Sequence, residues 1–297
     1  MALLTVFTPT YNRAHTLPRL YASLCRQRVK DFEWLIVDDG STDGTAALVA
    51  RWQADADFPI HYHQQPNGGK MRAHNCGARI ATTPLFVCID SDDILTDDAV
   101  ASIQQHHEAT RQRTDLAGMV AYCAIRQPEG NYHVRCRFPY FGASTLRGVY
   151  DEGFHGDTTL VFRTDVLRRF PFLEVEGEKF STEAYAYEQM DRHYKFWLVD
   201  ATWSDCEYMP DGYTAHEARL YAENPKGWAL YFNQRVSFLP KNRRRARIAY
   251  AVQYILFARR AGMRHIARQS ALQTPFFPLL WLLSYYYEWK WRHKYPR

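Results

Sequence analysis

The sequence has few cysteines, and they are widely spaced. The 297 residues contain six, at positions 25, 76, 88, 123, 136 and 206, and no two lie within ten positions of each other. This spacing excludes a Cys-x-x-Cys metal or redox site and a dense disulfide framework. The first residues also lack the basic segment and the small-residue cleavage site of a secretory signal. We therefore expect a cytoplasmic protein with reduced thiols.

Acidic residues are almost missing from the C-terminal part. From Asn224 onward there are 15 Lys and Arg but a single acid, Glu288. The whole chain has 37 basic and 32 acidic residues, so the part before Asn224 has 22 basic and 31 acidic residues. This asymmetry predicts an anionic partner for the tail, either a membrane surface or a nucleic acid. We accordingly divide the chain into a main domain, residues 1–223, and a basic, aromatic, helical region, residues 224–297.

The tail lacks an apolar run that could cross a bilayer, because spanning takes about 20 residues and Pro275–Tyr287 is shorter. Its leucines and aromatic residues, followed by Trp289–Lys294, are typical of a helix that lies in the interface of an anionic membrane. The alternative is an ordinary helical bundle that covers the main domain. No RNA or DNA motif accompanies the basic residues, and we expect no nucleic-acid partner.

The first hundred residues alternate short apolar runs with segments of helical spacing. The predicted strands are Ala2–Thr8, Phe32–Val37, Ile60–Gln64 and Leu85–Ile89. Strands alternating with helices indicate right-handed βαβ crossovers, and therefore an α/β fold whose mostly parallel sheet has helices on its faces.

The region after residue 110 has a different pattern. Ala117–Arg137 alternates like antiparallel strands joined by a turn at 127–131. The glycine-rich stretch Gly142–Asp157 is predicted to be a loop, and Thr158–Phe170 a strand followed by a short helix.

Three polar segments follow three of the predicted strands: Thr8–Arg13, Asp38–Ser41 and Asp90–Asp93. Ligands of open parallel sheets bind beyond the carboxyl ends of the strands. We therefore expect the three segments to converge on one crevice.

The segment Asp90-Ser91-Asp92-Asp93 places carboxylates at the tip of an apolar strand. These are the ligands that Mg²⁺ or Mn²⁺ prefers when the cation also holds substrate phosphates. Such a cation would stabilise a diphosphate leaving group as a Lewis acid. The alternative for an isolated Asp-x-Asp is a solvated acidic turn that caps the next helix.

The other two segments offer nucleotide contacts. Asp39 can accept from a base or a ribose hydroxyl, a Tyr11 ring can lie against the base, and Arg13 can meet a phosphate. The alternatives are an Asx turn or helix cap for the aspartate and simple loop packing for the other two. The Gly-x-Gly-x-x-Gly motif of dinucleotide sites is missing.

With these segments in this order, residues 1–110 resemble glycosyltransferase family 2, whose members share the nucleotide-diphospho-sugar transferase (type A) fold. The resemblance implies a nucleotide-diphosphate sugar as donor, first of all a UDP-sugar. It implies nucleotide contacts for Thr8, Tyr11, Arg13, Asp38, Asp39 and Asp90, metal binding by Asp90 and Asp92, and diphosphate contacts for Lys70 and Arg72. The last two can equally be solvated residues at a helix start.

Family 2 enzymes invert the anomeric centre, so the resemblance asks for a carboxylate base in the later half. We select Glu183, with Glu178 and Glu188 as rivals, although a glutamate at a helix start is often only a cap. The segment Glu207–His216 resembles one found in capsule- or lipopolysaccharide-building members, in which a loop closes over the substrates. His216 is accordingly a candidate metal ligand, with a structural histidine as the alternative.

These expectations describe a Mg²⁺- or Mn²⁺-dependent inverting glycosyltransferase of bacterial surface polysaccharide synthesis. Its acceptor would be a glycan or a lipid-linked glycan at the inner face of the cytoplasmic membrane. Two alternatives stay open. A haloacid-dehalogenase-like phosphohydrolase also uses Asp-x-Asp after a strand, although after the first one. A catalytically inactive, membrane-associated scaffold could retain the fold.

Overall fold

A computed structural model describes residues 2–127, 129–209, 212 and 216–294, without the side chains of 291, 292 and 294. The chain divides into two compact units. The first comprises Met1–Phe172 and Ala186–Pro210, and the second Leu173–Tyr185 and Asp211–Arg297. The predicted functional division at 223/224 stays a prediction.

Four parallel strands form one half of the sheet in the first unit. They are β1 (Leu4–Thr10), β2 (Phe32–Asp38), β3 (Ile60–Gln64) and β4 (Leu85–Cys88). Their spatial order is β3-β2-β1-β4, with every neighbouring pair parallel. The predicted strands and their parallel pairing are therefore confirmed.

Six further strands make the sheet mixed. They are β5 (Ile94–Leu95), β6 (Leu116–Arg126), β7 (Tyr132–His133), β8 (Gly142–Ser144), β9 (Thr158–Arg163) and β10 (Lys195–Cys206). Strand β9 lies antiparallel between β4 and β6, and β10 runs parallel to β6. Parallel pairing thus dominates the half that carries the predicted crevice.

The predicted hairpin is confirmed, because β7 pairs antiparallel with the end of β6 and the Gln127 amide donates to the Asn131 carbonyl at 2.7 Å. Pro128 of its turn lies outside the described residues. The prediction of a loop over Gly142–Asp157 is wrong: β8 and a short helix, α5 (Leu146–Asp151), occupy it. The Thr145 hydroxyl accepts from the Gly148 amide at 3.0 Å, so an N-cap supports this helix despite the glycines.

Helices cover both faces of the sheet. They are α1 (Leu17–Cys25), α2 (Thr45–Asp55), α3 (Lys70–Ile80), α4 (Ala99–Thr110), α6 (Thr164–Leu167) and α7 (Ala184–Met190). Because side chains alternate along a strand, β1 contributes Val6 to one apolar core, with α1, α2 and α4, and Phe7 to the other, with α3. A Cβ on Gly77 would lie 2.3 Å from the Phe7 ring, so glycine permits the close packing of α3.

The second unit is largely helical, which confirms the predicted basic helical extension. Its helices are α8 (Glu217–Glu223), α9 (Pro225–Phe238), α10 (Arg244–Arg260), α11 (Ile266–Gln269) and α12 (Phe277–Lys294). Helix α10 packs against α9 and α12 around a core that includes Phe232, Ile255 and Leu280. Among the described residues, no helix combines the length and the apolar character that crossing a membrane requires.

Candidate active site

The loops after β1 and β2 are hydrogen-bonded to each other. The Asn12 amide donates to the Ser41 hydroxyl at 2.8 Å, and the Asn12 side-chain oxygen accepts from the Thr42 amide at 2.8 Å. Asn12 has a φ of 53°, a left-handed conformation that asparagine tolerates better than most residues. The strand register places Thr10 beside Asp38, so the structure brings two of the three predicted segments together.

Asp39 organises the loop of residues 65–69. Its Oδ1 accepts from the Gly68 amide and the Gln65 side chain, each at 2.8 Å. Its Oδ2 accepts from the Gly69 amide at 2.7 Å and the Asn67 side chain at 3.1 Å. The carboxylate is buried, and four hydrogen bonds occupy the acceptor sites of its two oxygens. The geometry therefore gives Asp39 a structural task, and its direct contact with a nucleotide stays a prediction.

Asp38 also holds the site together. Its Oδ1 accepts from the Ser41 amide at 2.7 Å, and its Oδ2 accepts from the hydroxyl of Tyr62 on β3. Burial of that phenol, and then its hydrogen bond to Asp38, raise the pKa of Tyr62. The phenol therefore stays a donor at neutral pH, which fixes the end of β2 against β3.

Thr8 and Tyr11 lie in opposite environments. Thr8 is fully buried, and its hydroxyl accepts from the Trp34 indole at 3.0 Å. Tyr11 is 49% exposed at the start of the loop after β1. The tyrosine ring is therefore available to a ligand, whereas the Thr8 side chain belongs to the core.

Helix α3 carries two cationic side chains in its first turn. Gly69, with a φ of 95°, precedes Lys70, whose Nζ donates to Asp90 Oδ2 at 2.7 Å. Arg72 donates to the Gly68 carbonyl at 2.6 Å. Since Asp39 holds both glycine amides, the loop after β2, the start of α3 and the acidic turn Asp90–Asp93 form one connected network.

The acidic turn concentrates negative charge. Burial, and then the neighbouring Asp90 carboxylate, raise the pKa of Asp92, while Arg13 and Lys70 oppose this rise. Burial and then Asp90 likewise raise the pKa of Asp93. Burial and mutual repulsion thus oppose ionisation of both carboxyl groups.

The candidate bases and the histidine lie farther along the chain. Glu178 and Glu183 belong to the second unit and Glu188 to the first. Glu183 is half-buried directly before α7, Glu188 is buried within α7, and His216 is exposed directly before α8. Their predicted roles stay predictions. Of the segment Glu207–His216, residues 210, 211 and 213–215 lie outside the described residues.

Glu178 caps helix α9 within the second unit. Its Oε1 accepts from the Lys226 amide at 2.6 Å and its Oε2 from the Gly227 amide at 2.7 Å. In return, the Asn224 side-chain oxygen accepts from the Lys179 and Phe180 amides at 3.1 and 3.0 Å. A carboxylate at a helix N-terminus is stabilising. Both carboxylate oxygens of Glu178 therefore stabilise the start of helix α9.

The sequence reasoning missed Gln65, Asn67 and Tyr62 as parts of this network. The only local signal was Asn67 before Gly68-Gly69, which is typical of a turn. Tyr62 gave none, because its partner Asp38 is set by strand pairing rather than by sequence distance.

The family comparison covers the unit that carries this network. A family model described as "Glycosyl transferase family 2" matches residues 5–169. A GalNAc(5)-diNAcBac-PP-undecaprenol beta-1,3-glucosyltransferase of Campylobacter jejuni is 34% identical over 136 residues, which are 44% of this chain and 41% of that protein. The chain spans only 25% to 63% of the length of the first three curated relatives that it matches.

Two solved structures share the fold at low sequence identity. Residues 1–349 of Staphylococcus aureus TarS with UDP-GlcNAc have a TM-score of 0.63 at 16% identity, covering 99% of this chain and 93% of that one. A mannosyltransferase from Pyrobaculum calidifontis in complex with GDP-Man and Mn²⁺ has a TM-score of 0.56 at 20% identity, covering 98% and 82%. The expected nucleotide-diphospho-sugar transferase (type A) fold is thereby confirmed.

Proposed function

The chain belongs to glycosyl transferase family 2, and we propose that it moves a sugar from a nucleotide-diphosphate sugar to a hydroxyl group of a glycan or lipid-linked glycan, with inversion at the anomeric carbon. The observation that carries this proposal is the network from Asp39 through Gly68 and Gly69 to Lys70 and Asp90. It joins the proposed nucleotide-binding loops to the acidic turn. Family membership favours this activity over a phosphohydrolase.

We propose that the donor binds along the joined loops. Tyr11, exposed at the loop start, would stack on the base. Arg13, Lys70 and Arg72 would meet the diphosphate. Thr8, Asp38 and Asp39 would act by shaping the loops, since their side chains already hold protein donors. UDP-GlcNAc in the S. aureus TarS structure supports a UDP-sugar as the first donor to test.

We infer that Asp90 and Asp92 hold Mg²⁺ or Mn²⁺. Carboxylates are suitable hard ligands, and a bound cation would offset the burial and the Asp90 charge that together raise the pKa of Asp92. Among the described residues, no three His, Cys, Asp or Glu are grouped so that they could hold a metal ion. Donor phosphates and water would therefore complete the shell, with His216 as a further candidate. When bound, the cation would neutralise charge on the leaving diphosphate.

We propose Glu183 as the base. Its carboxylate would take the proton of the acceptor hydroxyl while the acceptor oxygen forms a bond to the anomeric carbon. The bond from that carbon to the diphosphate breaks in the same step, and its electron pair leaves with the nucleoside diphosphate. Attack from the face opposite the leaving group inverts the centre. Glu188 is the second choice, because both oxygens of Glu178 hold helix α9.

We also propose that the C-terminal region associates with an anionic membrane. One face of α12, Leu280 and Ser284, is buried, and Glu288 on the same face pairs with Arg259. Exposed apolar residues line another face at helical spacing: Leu279, Leu282, Tyr286 and Trp289. An aromatic, leucine-rich face in a strongly basic region suits interfacial binding.

One experiment tests the proposed transfer. Thermal-shift screening of nucleoside diphosphates and their sugars, with and without Mn²⁺, should give a Mn²⁺-dependent rise in Tm for one base. The matching donor is then incubated with lipid-linked or oligosaccharide acceptors, and NMR of the product reads its anomeric configuration. A product that retains the donor configuration, or no stabilisation by any nucleotide, would refute the proposal.

A further inference from the structure

A cavity lies at the end of the sheet opposite to the acidic turn. Its volume is about 440 Å³, and all of its lining residues belong to the first unit. Leu85 and Leu116, the first residues of β4 and β6, line it, as does Arg163, the last residue of the antiparallel β9. Asp90 instead follows the carboxyl end of β4. The cavity is therefore separate from the proposed donor site.

Four guanidinium groups line this cavity: Arg111, Arg113, Arg163 and Arg168. Three of them pair with acids nearby in the sequence, at 3.2 Å for Glu108, 2.8 Å for Asp115 and 3.1 Å for Asp165. The Arg113 and Arg163 pairs are bidentate. All three pairs are partly exposed, so a phosphate that enters the cavity would compete with the carboxylates for these guanidinium groups. Only Asp165 among these acids lines the cavity itself. The lining is therefore basic.

The fourth arginine is fixed in place. Arg168 donates from Nε to the Ala78 carbonyl at 2.8 Å and from Nη2 to the Ala81 carbonyl, at the C-terminal end of α3. A guanidinium has five N–H donors in a rigid fork, so donors remain for a ligand. The cavity thus contains one arginine held by backbone carbonyls and three paired with carboxylates.

One residue of the lining, Thr164, has a buried hydroxyl without a protein partner among the described residues. Thr164 is 3% exposed, and within the described part of the chain its Oγ1 makes no hydrogen bond. The residue lines the same cavity. A buried polar group without a partner is costly, and most such groups in native proteins are satisfied by water or a ligand.

From these observations we propose that the cavity binds a phosphate ester. Arginine forks match the several oxygens of a phosphate, and a hydroxyl adds a neutral hydrogen bond. The volume exceeds that of the phosphate alone, so a substituent the size of glycerol or a sugar also fits. The ester is either the monoester of a small metabolite or a diester within a larger molecule, and the cavity recognises the chemistry that the two share.

Titration calorimetry tests this with two probes, glycerol 3-phosphate as the monoester and glycerophosphoglycerol as the diester, in about 150 mM NaCl to screen non-specific attraction. We expect saturable binding of at least one probe. The double variant Arg111→Gln/Arg163→Gln should weaken it by about tenfold or more, since it removes two charge-assisted contacts. Lys70→Gln, which alters the acidic-turn site, should leave it unchanged. The tighter probe identifies the source of the phosphate.

The variant Thr164→Val tests whether the hydroxyl contributes to phosphate binding rather than to the stability of the fold. We expect Tm to stay equal or rise, because the hydroxyl has no protein partner, while phosphate affinity falls about fivefold with the lost hydrogen bond. The proposal is overturned if neither probe binds saturably. It is equally overturned if Lys70→Gln abolishes binding while the double arginine variant retains it, or if Thr164→Val lowers Tm and leaves the affinity intact.

Discussion

The ammonium group of Lys70 lies 2.7 Å from Oδ2 of Asp90, so the first residue of α3 is tied to the acidic turn beyond β4. The lysine side chain is 17% exposed and the aspartate 38%. Lys70 also lowers the otherwise raised pKa of Asp92, though burial and Asp90 prevail. One cation thus interacts with two carboxylates, and we propose that it also meets the diphosphate of the donor.

Replacing Lys70 tests this relationship. Lys70→Met should lower kcat/KM for the donor about 10- to 100-fold, since a charge-assisted contact contributes roughly 1.5–3 kcal/mol. Initial rates at varied donor concentration measure it. Lys195→Met is the matched control, because Lys195 is exposed at the start of β10. A loss no greater than that of the control would contradict the proposed diphosphate contact.

The effect of Asp92→Asn on Tm should depend on whether metal is present. Burial and Asp90 raise the folded-state pKa of Asp92, so the folded protein binds that proton more tightly than the unfolded chain. Stability is then lost as pH rises from the ordinary carboxyl pKa through the raised one. In EDTA at pH 7 we expect the variant to have the higher Tm, and the difference to vanish below the ordinary carboxyl pKa.

With Mn²⁺ the wild type should gain Tm and the variant should not, because binding to the folded state alone is stabilising. Transfer activity of the variant should fall at least about 100-fold, given several kcal/mol of Lewis-acid stabilisation. Asp97→Asn, at an exposed aspartate of the following loop, is the control. Equal Mn²⁺ shifts in variant and wild type would refute this metal assignment.

Asp39→Ala should be strongly destabilising. It leaves the Gly68 and Gly69 amides without their carboxylate partner, at a cost of about 3 kcal/mol or more for two charge-assisted bonds. Urea unfolding measures the loss, and hydrogen exchange of both amides should accelerate. Asp57→Ala, at an exposed aspartate paired with Lys30, serves as the comparison and should change stability by less than about 1 kcal/mol. Slow exchange in the Asp39 variant would contradict the assigned role.

The membrane proposal is tested on α12. Leu282→Ser and Trp289→Ser should each weaken sedimentation with anionic vesicles by about tenfold, since burying a large apolar side chain contributes roughly 1.5–3 kcal/mol. Ile248→Ser, at an exposed apolar position of α10, is the control. Added salt should weaken wild-type binding. If neither α12 substitution weakens vesicle binding, the proposed membrane-binding role of this helix face is wrong.

The sequence predicted the parts of the fold that depend on local pattern. Strands β1, β2 and β4 are largely apolar runs that end in polar turns, and the helices between the strands predict their parallel pairing. The insertion of β9 between β4 and β6 did not follow, because strand pairing across long sequence distances leaves no local trace. The error over Gly142–Asp157 came from weighting glycines above the Thr145 cap.

The same limit applies to the site. Motif spacing predicted that the loops after β1 and β2 meet, and the Asn12 contacts bear this out. It could not predict that the Asp39 carboxylate accepts hydrogen bonds from residues 65–69, which lie 26 to 30 positions away. Nor could it show that Glu178, a plausible base in the sequence, caps a helix that begins 47 residues later.

We expect different effects on kcat and Tm when Glu183 and Glu178 are each changed to glutamine. Glu183→Gln should lower kcat about 10²- to 10⁴-fold with donor affinity unchanged, as expected for loss of a general base. Glu178→Gln should lower Tm, because one of the two carboxylate oxygens at the α9 amides is replaced by an NH₂ group, which donates and cannot accept. The folded fraction of that variant should keep its kcat.

Measurements of kcat, donor KM and Tm on both variants and on Glu188→Gln assign the base. Glu183 is the wrong choice if its glutamine variant keeps kcat, and Glu188 takes its place if only that variant loses it. A loss of kcat without a loss of Tm in Glu178→Gln would overturn its role as a cap. The two glutamates lie five residues apart, and the hydrogen bonds of Glu178 to Lys226 and Gly227 are the reason to expect a structural role for that residue.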